Sequence, residues 1–365
     1  MPDTLKEIIL NDIKRHGAMN LGVFTSMALC HPEHGYYMNG DPFGAEGDFI
    51  TAPEISQMFG EVIGAWVIDV WMQMGQPSSV NLIECGPGRG TLMADILRAG
   101  KSVDGFVAAV QIHLVEASAE LRQKQDKTLK GGNVSWHDDI SEVDGKVPCI
   151  ILGNEFLDAL PIEQLKRGDV GWQKRVLSTG DAKCLEFMWA DADNELTQYL
   201  PSKTVSHQIY EVAPARNQFI SACIDLLKES GGVALFIDYG YTKSHYGDTL
   251  QAVRKHEYVD VLKDIGSCDI TSHVDFDALS RHLREQGIHV EPIATQGSFL
   301  TKSGIEHRLL VLKNTALKTM HLDDATVLIK AMEQSLDRLV DDAQMGDLFK
   351  AMCFYNDGSL KPAGF

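Results

Sequence analysis

The stretch VNLIECGPGRGT, Val80–Thr91, decides the fold. An apolar strand runs into an acid, Glu84, and then into three glycines, Gly86, Gly88 and Gly90, spaced G-x-G-x-G. A run suited to a helix, Thr91–Ala99, follows directly. A strand that stops at glycines ahead of a helix is where an α/β sheet brings bare backbone against a cofactor. The dinucleotide fingerprint is G-x-G-x-x-G, whose third glycine lets the helix pack closely on the strand. Here that position is Thr91, and the last glycine comes one residue early.

An acid two residues before the first glycine, with G-x-G-x-G after it, resembles the opening of the class I S-adenosylmethionine (SAM) methyltransferases. Glu84, Gly86, Gly88 and Gly90 are then the first candidates for cofactor binding. The next apolar strand, Val110–Val115, leads into Glu116, and Ser118 is placed to cap the helix Ala119–Thr128. A carboxylate at that strand tip can accept hydrogen bonds from both hydroxyls of a ribose. NAD sites use the same device, so Glu116 points to an adenosine cofactor rather than to SAM in particular. The short strand Val134–His137 ends at Asp138 and Asp139. Either can accept from an adenine amino group, and two acids after a strand also suit a solvated turn. Pro148–Gly153, PCIILG, reads as a buried central strand that delivers Asn154, Glu155 and Asp158 to its carboxyl edge. Chemistry sits at that edge in doubly wound sheets.

The chain of 365 residues suits one large or two modest domains. It has no apolar run of about 18 residues, so no membrane span is expected. The amino terminus, MPDTLKEIILNDIKRHG, reads as an amphipathic helix. It has neither a signal-peptide core nor the Arg-rich, acid-poor pattern of a presequence. The expected location is cytoplasmic, or the mitochondrial matrix if the chain is a processed eukaryotic one. Cys30, Cys85, Cys149, Cys184, Cys223, Cys268 and Cys353 are odd in number and include no C-x-x-C, which fits a reducing compartment. His31 and His34 lack a third ligand nearby, so no metal is expected. Thirty-three basic against 51 acidic residues leave a net charge of −18. Such a surface repels nucleic acid and favours a basic partner.

The pattern divides the chain into a helical and lid region over residues 1–75, a cofactor-binding α/β core over 76–160, and a β-rich insertion over 161–205. The rest of the core is expected over 206–320, and a helical extension over 321–365. Pro53–Met74 reads as one amphipathic helix, with Thr51 as N-cap and Glu54 completing a capping box. Gly171–Leu177 and Cys184–Trp189 read as inserted hairpins, Glu211–Glu229 and Phe276–Gln286 as helices, and Gly232–Asp238 as a fifth central strand. His289–Thr295 and His307–Lys313 are the expected closing strand pair, and Asp323–Leu339 a packed amphipathic helix. The fold class is therefore α/β, Rossmann-like, with a mostly parallel sheet and an antiparallel last strand.

Further segments narrow the reading. They include HPEHGYY (His31–Tyr37), GDFITAPEISQMFGE (Gly47–Glu61), ECGPGRGTL (Glu84–Leu92), NEFLDALP (Asn154–Pro161) and FIDYGY (Phe236–Tyr241). GDTLQAVRKH (Gly247–His256), DITSHVDF (Asp269–Phe276) and MGDLFK (Met345–Lys350) complete the set. Together they resemble the MidA family over nearly the whole chain. The resemblance implies a protein arginine methyltransferase that uses SAM to make symmetric ω-dimethylarginine on a subunit of respiratory complex I. It also favours Asp48, Thr51 and Glu54 as part of a lid over the methionine end of SAM.

The chemistry of such a reaction sets its own requirements. A guanidinium is a poor nucleophile, with delocalised lone pairs and a charge retained below about pH 12. An enzyme must hold it on carboxylates, localise its charge away from the attacking nitrogen and accept a proton. Glu155 and Asp158 are spaced to surround one pocket, with Asn154 to orient either. The plainer alternative is that Asn154 caps a following helix and Asp158 lies in its first turn. His256, His273, Asp238 and Tyr239 are further candidates for the cleft. An NAD-dependent oxidoreductase, a small-molecule O- or N-methyltransferase and a non-catalytic assembly chaperone are the competing classes.

Overall fold

A computed structural model of the chain describes residues 4–38, 51–130, 132–180 and 184–365. The main path of its central sheet is β1 (Val80–Cys85), β2 (Val110–Val115), β3 (Val134–His137), β4 (Cys149–Asn154), β5 (Gly232–Tyr241), β6 (His289–Val290) and β7 (Phe349–Tyr355), with Val274–Asp275 and Ala294–Thr295 as short additions to β5 and β7. The strands lie in the order β3-β2-β1-β4-β5-β7-β6. β1 to β5 are mutually parallel, and β7 runs antiparallel between β5 and β6. Every residue of β1 and β7 is buried, as expected for strands covered on both faces.

Alternation along the strands sorts side chains between two apolar layers. Leu82, Leu114, Ile150 and Leu235 join the helices Gln57–Gln73 and Thr91–Gly100 in one cluster. Ile83, Val115, Ile151 and Ala234 face the helices Pro214–Ser230 and Phe276–Glu285 in the other. The first layer is tight. A Cβ at Gly60 would lie 2.5 Å from Asp95, and one at Gly64 would lie 3.0 Å from the Ala99 Cβ. These two glycines let Gln57–Gln73 press against Thr91–Gly100, which carries the segment Thr51–Ser56 to the mouth of the glycine loop.

The closing strand differs from the sequence expectation. His289–Val290 and Ala294–Thr295 are strands, but His307–Lys313 lies within the helix Ile305–Thr319. Ile305, Leu309 and Ala316 are its buried positions, a helical spacing, while Leu310 and Val311 are exposed. The antiparallel strand is Phe349–Tyr355 instead, so the carboxyl-terminal region supplies a core strand as well as the helix Leu322–Val340. The Pro53–Met74 helix is broken at Ser56, whose extended backbone and Oγ bond to the Met58 N–H start a new helix. Thr51 is the N-cap of Ala52–Ile55, yet its side chain makes no cap bond. The expected capping box is absent because Glu54 Oε1 accepts from Thr91 Oγ1 at 2.5 Å. The Glu211–Glu229 helix begins only at Pro214, since Ile209–Val212 is a strand.

The insertion after β4 forms a second, antiparallel sheet. Trp172–Thr179 pairs there with Met19–Asn20, Leu185–Asp191 and Glu163–Arg167, and Glu163–Arg167 pairs in turn with Ile209–Val212. Helices Leu5–His16 and Leu21–Cys30 share its core through Ile9, Leu21 and Phe24 against Ile162 and Leu177. The first of these helices carries a complete Thr4–Glu7 capping box.

Candidate active site

The order of the central sheet reverses between β1 and β4, which leaves a crevice at their carboxyl ends. A cavity of about 550 Å³ fills that crevice. Gly86 and Gly88 line its edge, and Gly90, which faces Gln125, does not; their φ values of 65°, 52° and 80° are left-handed and favour glycine. Glu84 is 3% exposed, and its Oε2 has no hydrogen-bond partner. Burial pushes its pKa up to about 8. A buried carboxylate oxygen without a donor marks a place where a ligand donor belongs.

Glu116, at the tip of β2, accepts from the Ser118 N–H at 2.8 Å and from Gln125 Nε2 at 3.1 Å. Burial is the main cause of its raised pKa. Gln125 had no signature in the sequence, since it sits in a largely polar helix. It is fully buried, donates also to the Gly88 carbonyl, and accepts from Trp136 Nε1 at 2.9 Å. One side chain thus ties the glycine loop, Glu116 and β3 together. Asp138 and Asp139 both line the cavity. Asp138 pairs with Arg122 at 2.5 Å, and Asp139 caps the turn Ile140–Glu142 through the Ser141 N–H and hydroxyl.

At the end of β4, Asn154 and Glu155 line the same cavity. Glu155 has φ of 52°, and its Oε1 accepts from the Ala52 N–H at 3.0 Å and from Asn154 Nδ2 at 3.2 Å. Asn154 Oδ1 is buried without a partner. Burial raises the Glu155 pKa to about 7, with the nearby Asp158 charge adding to the effect. No helix follows β4 here, so the capping alternative for Asn154 does not arise. Asp158 is buried but does not line the cavity, which separates it from Asn154 and Glu155. Its neighbours are Tyr239 and Arg216, and burial raises its pKa. Asp238 is also buried outside the cavity.

Thr51 and Glu54 line the cavity, whereas Asp48 lies outside the described residues. His256 is exposed at the tip of the hairpin formed by Gln251–Arg254 and Glu257–Val259, away from the site. His273 packs edge-on against Tyr239 and faces a separate polar cavity. Phe156 and Phe219, with ring centroids 4.8 Å apart, were not foreseen and form an apolar wall of the site. The described lining carries the carboxylates of Glu54, Glu84, Glu116, Asp138, Asp139 and Glu155 against a single basic residue, Arg89. Such a lining favours a cationic occupant.

These buried acids have a consequence for stability. Glu84 is raised to about 8, and Glu155 and Glu163 to about 7, all by burial. The folded protein therefore holds protons that the unfolded chain has released, and stability falls as pH rises through this range. Half-buried His113, lowered to about 4, acts in the opposite sense, but only below the ordinary histidine pKa. Between about pH 6.5 and 8.5 the acids set the slope, so the melting temperature of ligand-free protein should fall. Glu84→Gln should flatten the fall. A flat or rising wild-type profile would contradict the assignment.

The glycine loop after β1, the acid at the tip of β2 and the antiparallel β7 define a class I SAM-dependent methyltransferase. The residues fit that cofactor, with an unpartnered Glu84 oxygen, an acidic lining and a left-handed glycine edge. The family of S-adenosyl-L-methionine-dependent methyltransferases matches residues 62–294, and the chain belongs to it. It is 33% identical over 371 residues to "Protein arginine methyltransferase NDUFAF7, mitochondrial" of Danio rerio, covering 94% of this chain and 85% of that one. The Drosophila melanogaster homolog of the same name is 32% identical, with 93% and 82% covered. A crystal structure from Burkholderia thailandensis with S-adenosyl-homocysteine bound superposes with a TM-score of 0.83 at 25% identity, over 98% of this chain and 93% of that one. The protein is thus a SAM-dependent methyltransferase of the family its motifs resemble. Among the described residues, no helix is long and apolar enough to cross a membrane.

Proposed function

We propose that the protein methylates arginine on a protein substrate, forming symmetric ω-dimethylarginine on a subunit of respiratory complex I. The observation that carries the arginine reading is the pair at the end of β4. A half-buried carboxylate, Glu155, stands beside a buried amide oxygen, Asn154 Oδ1, that lacks a donor. A guanidinium presents several N–H groups in one plane and can satisfy both acceptors together. The names of the relatives support the same target. The symmetric product and the complex I substrate rest on the family resemblance. The free cysteines fit a reducing compartment, cytoplasm or mitochondrial matrix.

Bound SAM supplies an electrophilic methyl group on a sulfonium. Gly86 and Gly88 would admit it to the backbone, Glu84 would take up its remaining donor, Glu116 would hold the ribose, and Asp138 or Asp139 the adenine. Thr51 and Glu54 would close over its methionine end. Glu155 binds the guanidinium, draws positive charge toward its own oxygens and away from the attacking nitrogen, and receives the proton released. Its raised pKa suits that last task near neutral pH. Asn154 fixes the plane of the substrate, and Asp158 acts on Glu155 through its charge rather than by contact.

Glu116→Ala should weaken SAM binding about tenfold or more, since each hydrogen bond to a charged acceptor contributes about 1.5–3 kcal/mol. Unchanged affinity by calorimetry would make Glu116 a purely structural residue. The substrate is tested by incubating isolated complex I subunits with the enzyme and labelled SAM, followed by residue-level mass spectrometry. Two methyl groups on opposite ω-nitrogens of one arginine are expected. Label on lysine, on a carboxylate or on a small molecule would overturn the reading.

A further inference from the structure

We propose that Asp238 and Arg216 are positioning residues that hold Glu155 in its working geometry, an inference that rests on Glu155 being the group that meets the substrate. Glu155 is not glycine, yet its φ is 52°. Such a conformation persists only where the surroundings over-determine it. The turn after β4 has no helix to satisfy its backbone, so its polar groups need other partners.

Those partners are two buried side chains. The N–H groups of Phe156, Leu157 and Asp158 all donate to Asp238 Oδ2, at 3.0, 2.8 and 3.2 Å. Asp238 Oδ1 accepts from the Tyr239 N–H at 3.0 Å, which fixes the carboxylate plane. The carbonyls of the same turn are gathered by Arg216. Its Nε donates to the Leu157 carbonyl at 2.8 Å and its Nη2 to the Asp158 carbonyl at 3.3 Å. The rest of the guanidinium is anchored on the His273 and Ser272 carbonyls and on Ser272 Oγ. The Glu155 N–H itself donates to the Ile237 carbonyl of β5, one residue before Asp238.

Neither residue can take part in chemistry directly. Asp238 is 1% exposed and Arg216 2% exposed, and neither lines the cofactor cavity. Toward the site, their hydrogen bonds end at the backbone of residues 156–158. Through that backbone they set where the Glu155 side chain leaves the chain, and so its distance from the reacting nitrogen. A displacement of about 1 Å at such a group can cost about 100-fold in rate.

The test compares Asp238→Ala, Asp238→Asn, Arg216→Lys and Glu155→Gln in the full chain. The readouts are SAM affinity by calorimetry, kcat and KM for methyl transfer to isolated complex I subunits, and hydrogen exchange of the Phe156–Asp158 amides. Asp238→Ala should expose those amides to exchange and lower kcat about 100-fold, with a smaller loss of SAM affinity because Phe156 lines the cofactor cavity. Asp238→Asn should recover much of both, because its oxygen can still take the three turn N–H groups, although its NH2 then meets the Tyr239 N–H that Oδ1 accepts now. Arg216→Lys keeps the charge but not the fork, and should loosen the turn and lower kcat. Full kcat in Asp238→Ala, with Glu155→Gln inactive, overturns the positioning role. An active Glu155→Gln overturns the reading of Glu155 instead, and amide exchange then still decides whether Asp238 holds the turn. If Asp238→Asn keeps the amides protected but is as slow as Asp238→Ala, charge rather than geometry is the contribution of Asp238, and the proposal fails. Should Asp238→Ala not fold, the Asn and Lys variants carry the same comparison.

Discussion

Glu155→Gln is expected to lose arginine methylation while retaining normal SAM affinity. The amide has nearly the volume of the carboxylate, and its oxygen can still accept from the Ala52 N–H that Glu155 Oε1 takes now. Fold and cofactor site should therefore survive. The variant cannot supply the negative charge that holds a guanidinium and polarises it. Truncating one partner of a buried charge pair costs about 2–5 kcal/mol, or about 30- to 4,000-fold in rate if the pair forms in the transition state. The pH profile provides a second check. With burial raising the Glu155 pKa to about 7, the wild-type rate should fall as the pH drops through 7 and the carboxylate takes up a proton. The residual rate of the Gln variant should lack that acid limb. Wild-type turnover in Glu155→Gln, or an unaltered limb, would remove Glu155 from the reaction.

The glycine loop and the strands around it were legible because backbone conformation constrains them directly. Glycine takes three left-handed positions in five residues at the least cost, and a buried parallel strand is an apolar run. Glu84, Glu116, Asn154 and Glu155 follow once the strand ends are known, since their positions are fixed by register. The carboxyl-terminal half was less legible. FKAMCFY has no alternation because both of its faces are buried, and it follows helices that make it look like their continuation. HRLLVLK contains enough branched residues to imitate a strand, although its buried positions are spaced for a helix. The capping box at Thr51 failed for a tertiary reason, as Thr91 takes the Glu54 carboxylate from the chain end it would have capped. Gln125 and Arg216 were beyond local reading altogether, and Asp238 was read as a cleft residue rather than as the acceptor for a turn. Each works by joining segments far apart in sequence, and a single polar residue in a helix or at a strand end does not announce such a partner.

Gly86→Val should remove SAM binding from a protein that still folds. Gly86 has φ of 65°, a value that a β-branched residue resists, and it begins the turn between β1 and the following helix. Space is also lacking. A Cβ there would lie 2.8 Å from Phe156 Cδ2. That ring cannot easily retreat, because it packs against Phe219, whose ring in turn meets Phe236. The branched side chain must then displace the Phe156 wall or move the loop, and both define the cofactor cavity. A loss of at least about 100-fold, or about 2.7 kcal/mol, is expected in SAM affinity by calorimetry. Gly88→Val, at φ of 52° in the same loop, should behave alike. Gly75→Val separates strain from site. Gly75 has φ of 84° but nothing within 4 Å of an added Cβ, so this variant carries the backbone penalty without touching the cavity. It should lower the melting temperature and leave SAM affinity intact. If folded Gly86→Val bound SAM as tightly as wild type, the loop after β1 would no longer be the place where the cofactor meets the backbone.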